Sequence, residues 1–147
     1  MKSLTGKAHQ VMELLVEGLN DVGAHQTIDN SKGTFMAVHV EFINKLNNGL
    51  VGDVFSVAHY YEQNGDMMRD PDVEFLRNGG KFYPIYFRQD GAGGKDEEVL
   101  SFDIGGHVQG YRKALQADIA SFCKMWMQNI KEQQGLTFPK KGVKKDA

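Results

Sequence analysis

The sequence predicts an α+β fold: a mostly antiparallel sheet of about five strands, with an N-terminal helix and a long C-terminal helix packed on it. Three observations point there. Apolar residues recur at spacings of three and four near both ends, as in Leu4, Ala8, Val11, Leu15 and Leu19, and again in Leu115, Ile119, Phe122, Trp126 and Ile130. Between these stretches lie runs rich in β-branched and aromatic residues. Short glycine-containing turns separate those runs, which favours antiparallel pairing of neighbours.

Taken in order, residues 3–22 form the first helix, with Ser3 or Thr5 to cap its start, Gly23 its end, and Val22 closing the apolar stripe. Gly18 inside it costs about 1 kcal/mol relative to alanine. Residues 24–33 are a polar turn region. Thr34 to Ile43 is a strand with Met36, Val38, Val40 and Phe42 on one face and Phe35, His39 and Glu41 on the other. Residues 44–53 connect it to a central hairpin. Asn78-Gly79-Gly80 makes the next turn, and Lys81 to Gln89 is an aromatic strand. A glycine-rich loop, Asp90 to Lys95, leads into a strand from Glu97 to Ile104, with Leu100, Phe102 and Ile104 on one face. Gly105-Gly106 ends it, and the longest helix runs from about Val108 to Gln134, with Tyr111 opening its stripe and Gly135 ending it.

The central hairpin, Val54 to Leu76, carries the clearest local signal. Asn64-Gly65 between two β-rich runs suits a two-residue type I′ turn. That turn places His59 opposite Asp70, Tyr60 opposite Arg69, Tyr61 opposite Met68 and Val54 opposite Phe75. One face then carries Ala58, Tyr60 and Arg69, with its Val54/Phe75 end the better core candidate. The other gathers His59 and Tyr61 with Asp70, Asp72 and Glu74. Pro71 has no N–H to donate, which puts its arm at a sheet edge or in a bulge near Asp70.

With 147 residues, the chain is long enough for one domain with a real core. Residues 1–135 are read as that domain, and residues 136–147, with Pro139 and four lysines, as a mobile lysine-rich tail. A formal net charge of −2 gives no argument for global attraction to nucleic acid or membrane. The single cysteine, Cys123, excludes an internal disulfide and fits a reducing compartment. No apolar run approaches a membrane span, and the N-terminus lacks the order of a signal peptide, so a cytoplasmic protein is expected.

The sequence names no reaction. Its sharpest chemical candidate is the face of His59, Asp70, Asp72 and Glu74, because carboxylates with an imidazole can hold a divalent metal that activates water. Alternating acids also describe a solvated strand, which is the simpler reading, and the spacing matches no zinc framework. Tyr60, Tyr61 and Arg69 could stack a ring or contact a partner; a cross-strand cation–π pair explains them equally simply. Gly91-Ala92-Gly93-Gly94-Lys95 fails as a phosphate loop, because Gln89 stands where the first glycine belongs and Asp96 where the hydroxyl residue belongs. Gly105 to Gly110 precedes a helix and could offer amides to an anion, but without dinucleotide spacing it reads as a turn. Cys123 lies in an apolar helix and reads as a structural thiol. Lys140, Lys141, Lys144 and Lys145 could touch nucleic-acid phosphates, or simply solubilise the tail.

Three segments together carry a resemblance. They are His59 to Pro71 with Phe75, then Tyr83-Pro84 with Arg88-Gln89-Asp90, and the helix end Trp126 to Gln133. Over roughly residues 50–135 the chain resembles an uncharacterised domain-of-unknown-function family of small bacterial proteins often encoded on phages, plasmids and integrative elements. The resemblance implies a bacterial cytoplasm and a mobile-element accessory role, and brings no catalytic residues. The expectation is a non-enzymatic accessory or binding protein acting through an exposed hairpin face on a protein partner, with no cofactor and no membrane. The alternative is a metal-dependent hydrolase or nuclease using the His59 and carboxylate cluster.

Overall fold

The computed structural model describes residues 1–138. In chain order these form helix α1 (Gly6–Val16), strands β1 (His25–Ile28), β2 (Val38–Asn47), β3 (Val51–Gln63), β4 (Asp66–Asn78), β5 (Lys81–Gln89), β6 (Lys95–Glu98), β7 (Leu100–Phe102) and β8 (Val108–Tyr111), and helix α2 (Lys113–Gln134). Strands β1 to β6 make a six-stranded sheet in sequence order, every neighbouring pair antiparallel, and β7 pairs with β8 in a separate two-stranded sheet. The fold is α+β, as the sequence predicts. It has more strands than expected, because short polar segments pair when a longer neighbour is available.

Helix α1 buries Ala8, Val11, Met12, Leu15 and Val16 and stops well short of residue 22. Glu17 already leaves helical geometry, and Gly18 takes φ +79, a conformation that glycine adopts without steric cost. Gly18 is therefore the helix exit and not an interior penalty. Leu19 still turns back into the core, while Val22 is left exposed. The Gln26 side-chain amide donates to the Leu15 carbonyl, which the shortened helix leaves without an intrahelical partner.

Gln26 belongs to β1, which forms where a polar turn is expected. Four residues alternating between exposed and half-buried give no periodic signal of their own. Pairing with β2 creates the strand, and reciprocal bonds between Phe42 and the Gly23–Ala24 backbone extend the ladder, at 2.8 and 2.9 Å. Strand β2 starts at Val38 rather than Thr34, leaving Phe35 and Met36 exposed, and runs on through the expected connection to Asn47.

The β3–β4 hairpin has the expected turn, with Asn64 at φ 52 and Gly65 at φ 85. Tyr60 pairs with Arg69 and Tyr61 with Met68, as expected. Beyond them the register shifts. Ala58 pairs with Asp72, so His59 lies across from both Asp70 and Pro71 instead of Asp70 alone. Phe55 then pairs with Phe75 and Val54 with Leu76, correcting the expected Val54–Phe75 pair. The bulge sits at Pro71, whose missing N–H could not continue the ladder. The edge alternative does not hold, because β4 lies between β3 and β5. The Asp70–Pro71 peptide is cis.

This one extra residue changes what each face carries. Val73 and Phe75 join Val57 and Phe55 on the helix side, and all four are fully buried. Asp72 and Glu74 move to the opposite face, level with Ala58 and Ser56. On the helix side, Val40, Phe42 and Phe87 extend the same layer under Ile119, Cys123, Trp126, Met127 and Ile130 of α2.

Helix α2 begins later than the apolar pattern suggests, because Val108–Tyr111 is taken by pairing with β7. The Asp103 carboxylate accepts the N–H groups of Gly105 and His107, both at 2.9 Å, and so closes the β7–β8 turn. Those amides are thus occupied, and the Gly105–Gly110 stretch makes a hairpin, not a helix entrance. Ile104 and Tyr111 are consequently exposed. At about 1.5 Å per residue, α2 spans roughly 33 Å. Gly135 at φ 61 ends it, with the Leu136 N–H returning to the Lys131 carbonyl at 2.9 Å.

Two buried glutamines pin α2 to the rest of the chain. Gln116 accepts the Lys2 N–H at 2.8 Å and donates to the Lys2 carbonyl at 2.7 Å. Gln134 accepts the Asn30 N–H at 2.7 Å and donates to the Met36 carbonyl at 3.2 Å.

Candidate functional site

Both helices cover one side of the six-stranded sheet, and the site candidates must be sorted by side. Tyr60 and Arg69, expected to face each other, do so on the side away from the helices. Tyr61 is on the other side, where its hydroxyl lies against Gly91 in the β5–β6 loop; a Cβ there would meet it at 3.0 Å. Tyr60 and Tyr61 therefore cannot serve a single face.

The expected face of His59, Asp70, Asp72 and Glu74 is not formed. His59 is buried on the helix side, edge-on to Trp126 with ring centroids 5.5 Å apart, and its Nδ1 lies 2.9 Å from the Ala37 carbonyl. Asp70 sits in the bulge and accepts a bond from the Gln89 amide at 2.7 Å. Asp72 and Glu74 are on the opposite face. The bulge at Pro71 causes this division, since it reverses the facing of everything beyond it on β4. Among the described residues, no group of three or more His, Cys, Asp or Glu side chains is placed to hold a metal ion. Cys123 is buried, and burial pushes its thiol well above the ordinary range, as a structural thiol requires. Lys140, Lys141, Lys144 and Lys145 lie outside the described residues.

What the structure does bring together is a polar ladder on the helix-free face. One row crosses all six strands: His25 on β1, Glu41 on β2, Ser56 on β3, Glu74 on β4, Tyr86 on β5 and Glu98 on β6. The next row carries His39, Ala58, Asp72, Arg88 and Asp96. Tyr60 and Arg69 stand beyond it toward the hairpin tip. The sequence assigns His39 and Glu41 to one strand face. Tyr86, Arg88 and Glu98 join them only through the strand order and the bulges, which no local pattern reveals.

Asp72 is buried and held by two partners. Ser56 donates to one carboxylate oxygen at 2.7 Å, and Arg69 approaches the other at 3.6 Å. Burial pushes the Asp72 carboxyl up, opposed by Ser56, Arg69 and Arg88. Arg88 donates to Asp90 at 2.9 Å, and Asp90 also accepts the Arg69 backbone N–H at 3.0 Å. Those bonds, the backbone one first, hold the Asp90 carboxyl below its usual range. Tyr86 donates to Asp96 at 2.5 Å, and burial together with that bond pushes its hydroxyl up to about 12.

Glu74 sits at the centre of the row. It has no hydrogen-bond or ion-pair partner among the described residues, while Asp72 and Glu98 flank it as like charges. Burial first, then those two carboxylates, push it up to about 7, against the pull of Arg69. Toward β1, the face dips into a cavity of about 160 Å³ whose wall includes His39, Glu41, Ser56 and Tyr60. Thr27 bonds His39 at 3.1 Å, and the Tyr60 ring meets the His39 ring edge-on at 5.0 Å. Burial, then nearby His59, lower the His39 pKa.

These features define an α+β domain whose sheet is backed by helices on one side and presents an acidic, tyrosine-bearing ladder on the other. A family model described as Domain of unknown function (DUF6908) matches residues 6–136, and the chain belongs to that family. Comparison with the curated proteins and with the solved structures gives no match. No helix among the described residues is long and apolar enough to cross a membrane.

Proposed function

We propose that the chain is a non-enzymatic accessory or binding protein, of bacterial and mobile-element origin, that engages a protein partner through the helix-free face of its sheet. The observation that supports this is the division of labour between the two faces. The helix side is closed by α1 and α2 over a continuous apolar core. The opposite side keeps Tyr60, Arg69, Glu74, Tyr86 and Arg88 only partly buried, in register with one another. Clustered tyrosine and arginine at a partly exposed surface is the composition that dominates recognition energies. The bacterial, mobile-element origin is carried by the resemblance of the hairpin and the Tyr83–Asp90 segment.

Affinity capture from nuclease-treated bacterial lysate, read by mass spectrometry, tests the assignment. A protein held stoichiometrically by the wild type and lost by Tyr60→Ala and Arg69→Ala is the expected result. Tyr61→Ala, on the other side of the sheet, is expected to retain it. Capture unchanged in both Tyr60→Ala and Arg69→Ala, with the fold intact by circular dichroism, would overturn the face assignment.

A further inference from the structure

We propose that the lysine-rich segment 139–147 docks back onto its own domain, laying Lys140 and Lys141 against Glu13 and Glu17 in the groove between α1 and the β4–β5 turn. This surface is separate from the ladder, none of whose residues lines it. The groove measures about 630 Å³, and its walls include α1, Gly80 in the β4–β5 turn, and Phe138. Residues three and four apart share a helix face, which is why Gln10, Glu13, Leu14 and Glu17 of α1 meet the groove together. Val16 and Phe82, both buried, give it an apolar floor.

The chain itself leads there. Beyond α2, Leu136 and Phe138 are half-buried against the core, while Thr137 between them is exposed. Phe138 forms one wall of the groove, and the Lys131 ammonium lies 5.6 Å from its ring centre. Pro139 follows, and a residue before proline is held to extended backbone, so the chain runs on from Phe138 instead of coiling back. The Cα atoms of Lys140 and Lys141 then lie at most roughly 7 and 11 Å from that of Phe138. Fully extended, residues 139–147 reach about 30 Å, against roughly 16 Å for the length of α1, so the tether does not limit docking.

Charge selects this occupant. Residues 139–147 carry Lys140, Lys141, Lys144 and Lys145 against a single acid, Asp146. On the groove side stand Glu13 and Glu17. Among the described residues lining the groove, the cation is Arg77, and Asp53 already holds its guanidinium at 2.7 Å. Glu13 lies 2.8 Å from His9, a contact that is an ion pair only when the imidazole is protonated. Helix α1 has no basic residue in its last turn, so the negative end of its dipole, beside Glu17 and Gly18, receives no cation from the helix itself. A lysine arriving from Phe138 supplies one. Single exposed ion pairs are weak, but a tethered segment sits at an effective concentration in the mM range, so weak pairs suffice to hold it.

The test is carbodiimide coupling, which joins a lysine amine to a carboxylate it touches. It is applied to the full chain as an equal mixture of ¹⁴N- and ¹⁵N-labelled protein and read by peptide mass spectrometry. Links from Lys140 or Lys141 to Glu13 or Glu17 are expected, within one isotope, on the order of tenfold above links to Glu132, which is exposed and nearer in sequence. At about 1 M salt, where charges are screened beyond roughly 3 Å, the excess should disappear. Links spread evenly over exposed carboxylates, or no link to α1, would overturn the docking. Links of mixed isotope would also overturn it, by making a second copy the occupant. Independently, the ¹H–¹⁵N spectrum of the full chain carrying Lys140→Ala and Lys141→Ala should shift at Glu13, Leu14, Glu17, Gly18 and Gly80; an unchanged α1 would contradict the proposal.

Discussion

Replacing Glu74 by glutamine should stabilise the protein at pH 8 and barely change it at pH 5. The reasoning is a proton balance. The Glu74 carboxyl is pushed from an ordinary 4.5 up to about 7 in the folded chain by burial and by Asp72 and Glu98. The folded state therefore binds a proton more tightly than the unfolded state does. Its contribution to stability is fully present below about pH 4.5 and is lost as pH rises through about 7. At about 1.4 kcal/mol per pH unit, the gap amounts to about 3 kcal/mol, most of it falling between pH 5 and pH 8. Glutamine has nearly the same shape and stays neutral, so it escapes that loss. Asp72 and Glu98 are also raised and make both proteins less stable at high pH; the difference between wild type and variant isolates Glu74. Urea unfolding of both proteins at pH 5 and pH 8 measures it. A variant that gains the same stability at both pH values, or is weaker than the wild type at pH 8, would refute the account of Glu74 as a desolvated carboxyl among like charges.

Three further perturbations address the scaffold. Gly52→Ala should cost about 3 kcal/mol or more in urea unfolding, because φ is +150 and a Cβ would sit 2.1 Å from the Arg77 carbonyl oxygen, a backbone atom that cannot step aside. Gln134→Ala should cost about 2–4 kcal/mol in the same assay, since it strips partners from the Asn30 N–H and the Met36 carbonyl and leaves a void at a buried position. Cys123 should resist a thiol reagent in native buffer and react fully in denaturant, because its thiol is buried and its pKa raised; rapid native modification would show that α2 does not pack as described.

How much of this was legible in the sequence differs by element. The Asn64-Gly65 turn and the Tyr60–Arg69 pair are dictated locally, because turn type sets the register of the residues beside it. The apolar spacing of Ile119, Trp126 and Ile130 likewise finds the buried stripe of α2. The register beyond Ala58 was not legible. Pro71 signals a break in the ladder, but whether the chain answers with an edge or a bulge depends on which strands flank it, and that is a tertiary fact. A shift of one residue then separated His59 from Asp72 and Glu74, turning one expected cluster into a core histidine and a surface ladder. Strands β1 and β8 were missed because each segment is too short to show a period, and Val108 to Tyr111 fitted a helical stripe equally well; β7 lies inside the strand expected from Glu97 to Ile104, which the structure divides at Val99 between two sheets. The His25–Glu41–Ser56–Glu74–Tyr86–Glu98 row draws on six strands, so no single stretch of sequence displays it.

The most direct test of the helix-free face as the recognition surface is a ¹H–¹⁵N correlation spectrum of the labelled full chain during titration with the protein partner recovered by affinity capture. The account predicts progressive shifts concentrated at Glu41, Ser56, Tyr60, Glu74 and Tyr86, with the amides of α1 and α2 unmoved. Shifts centred on the helices, with that row unchanged, would contradict it.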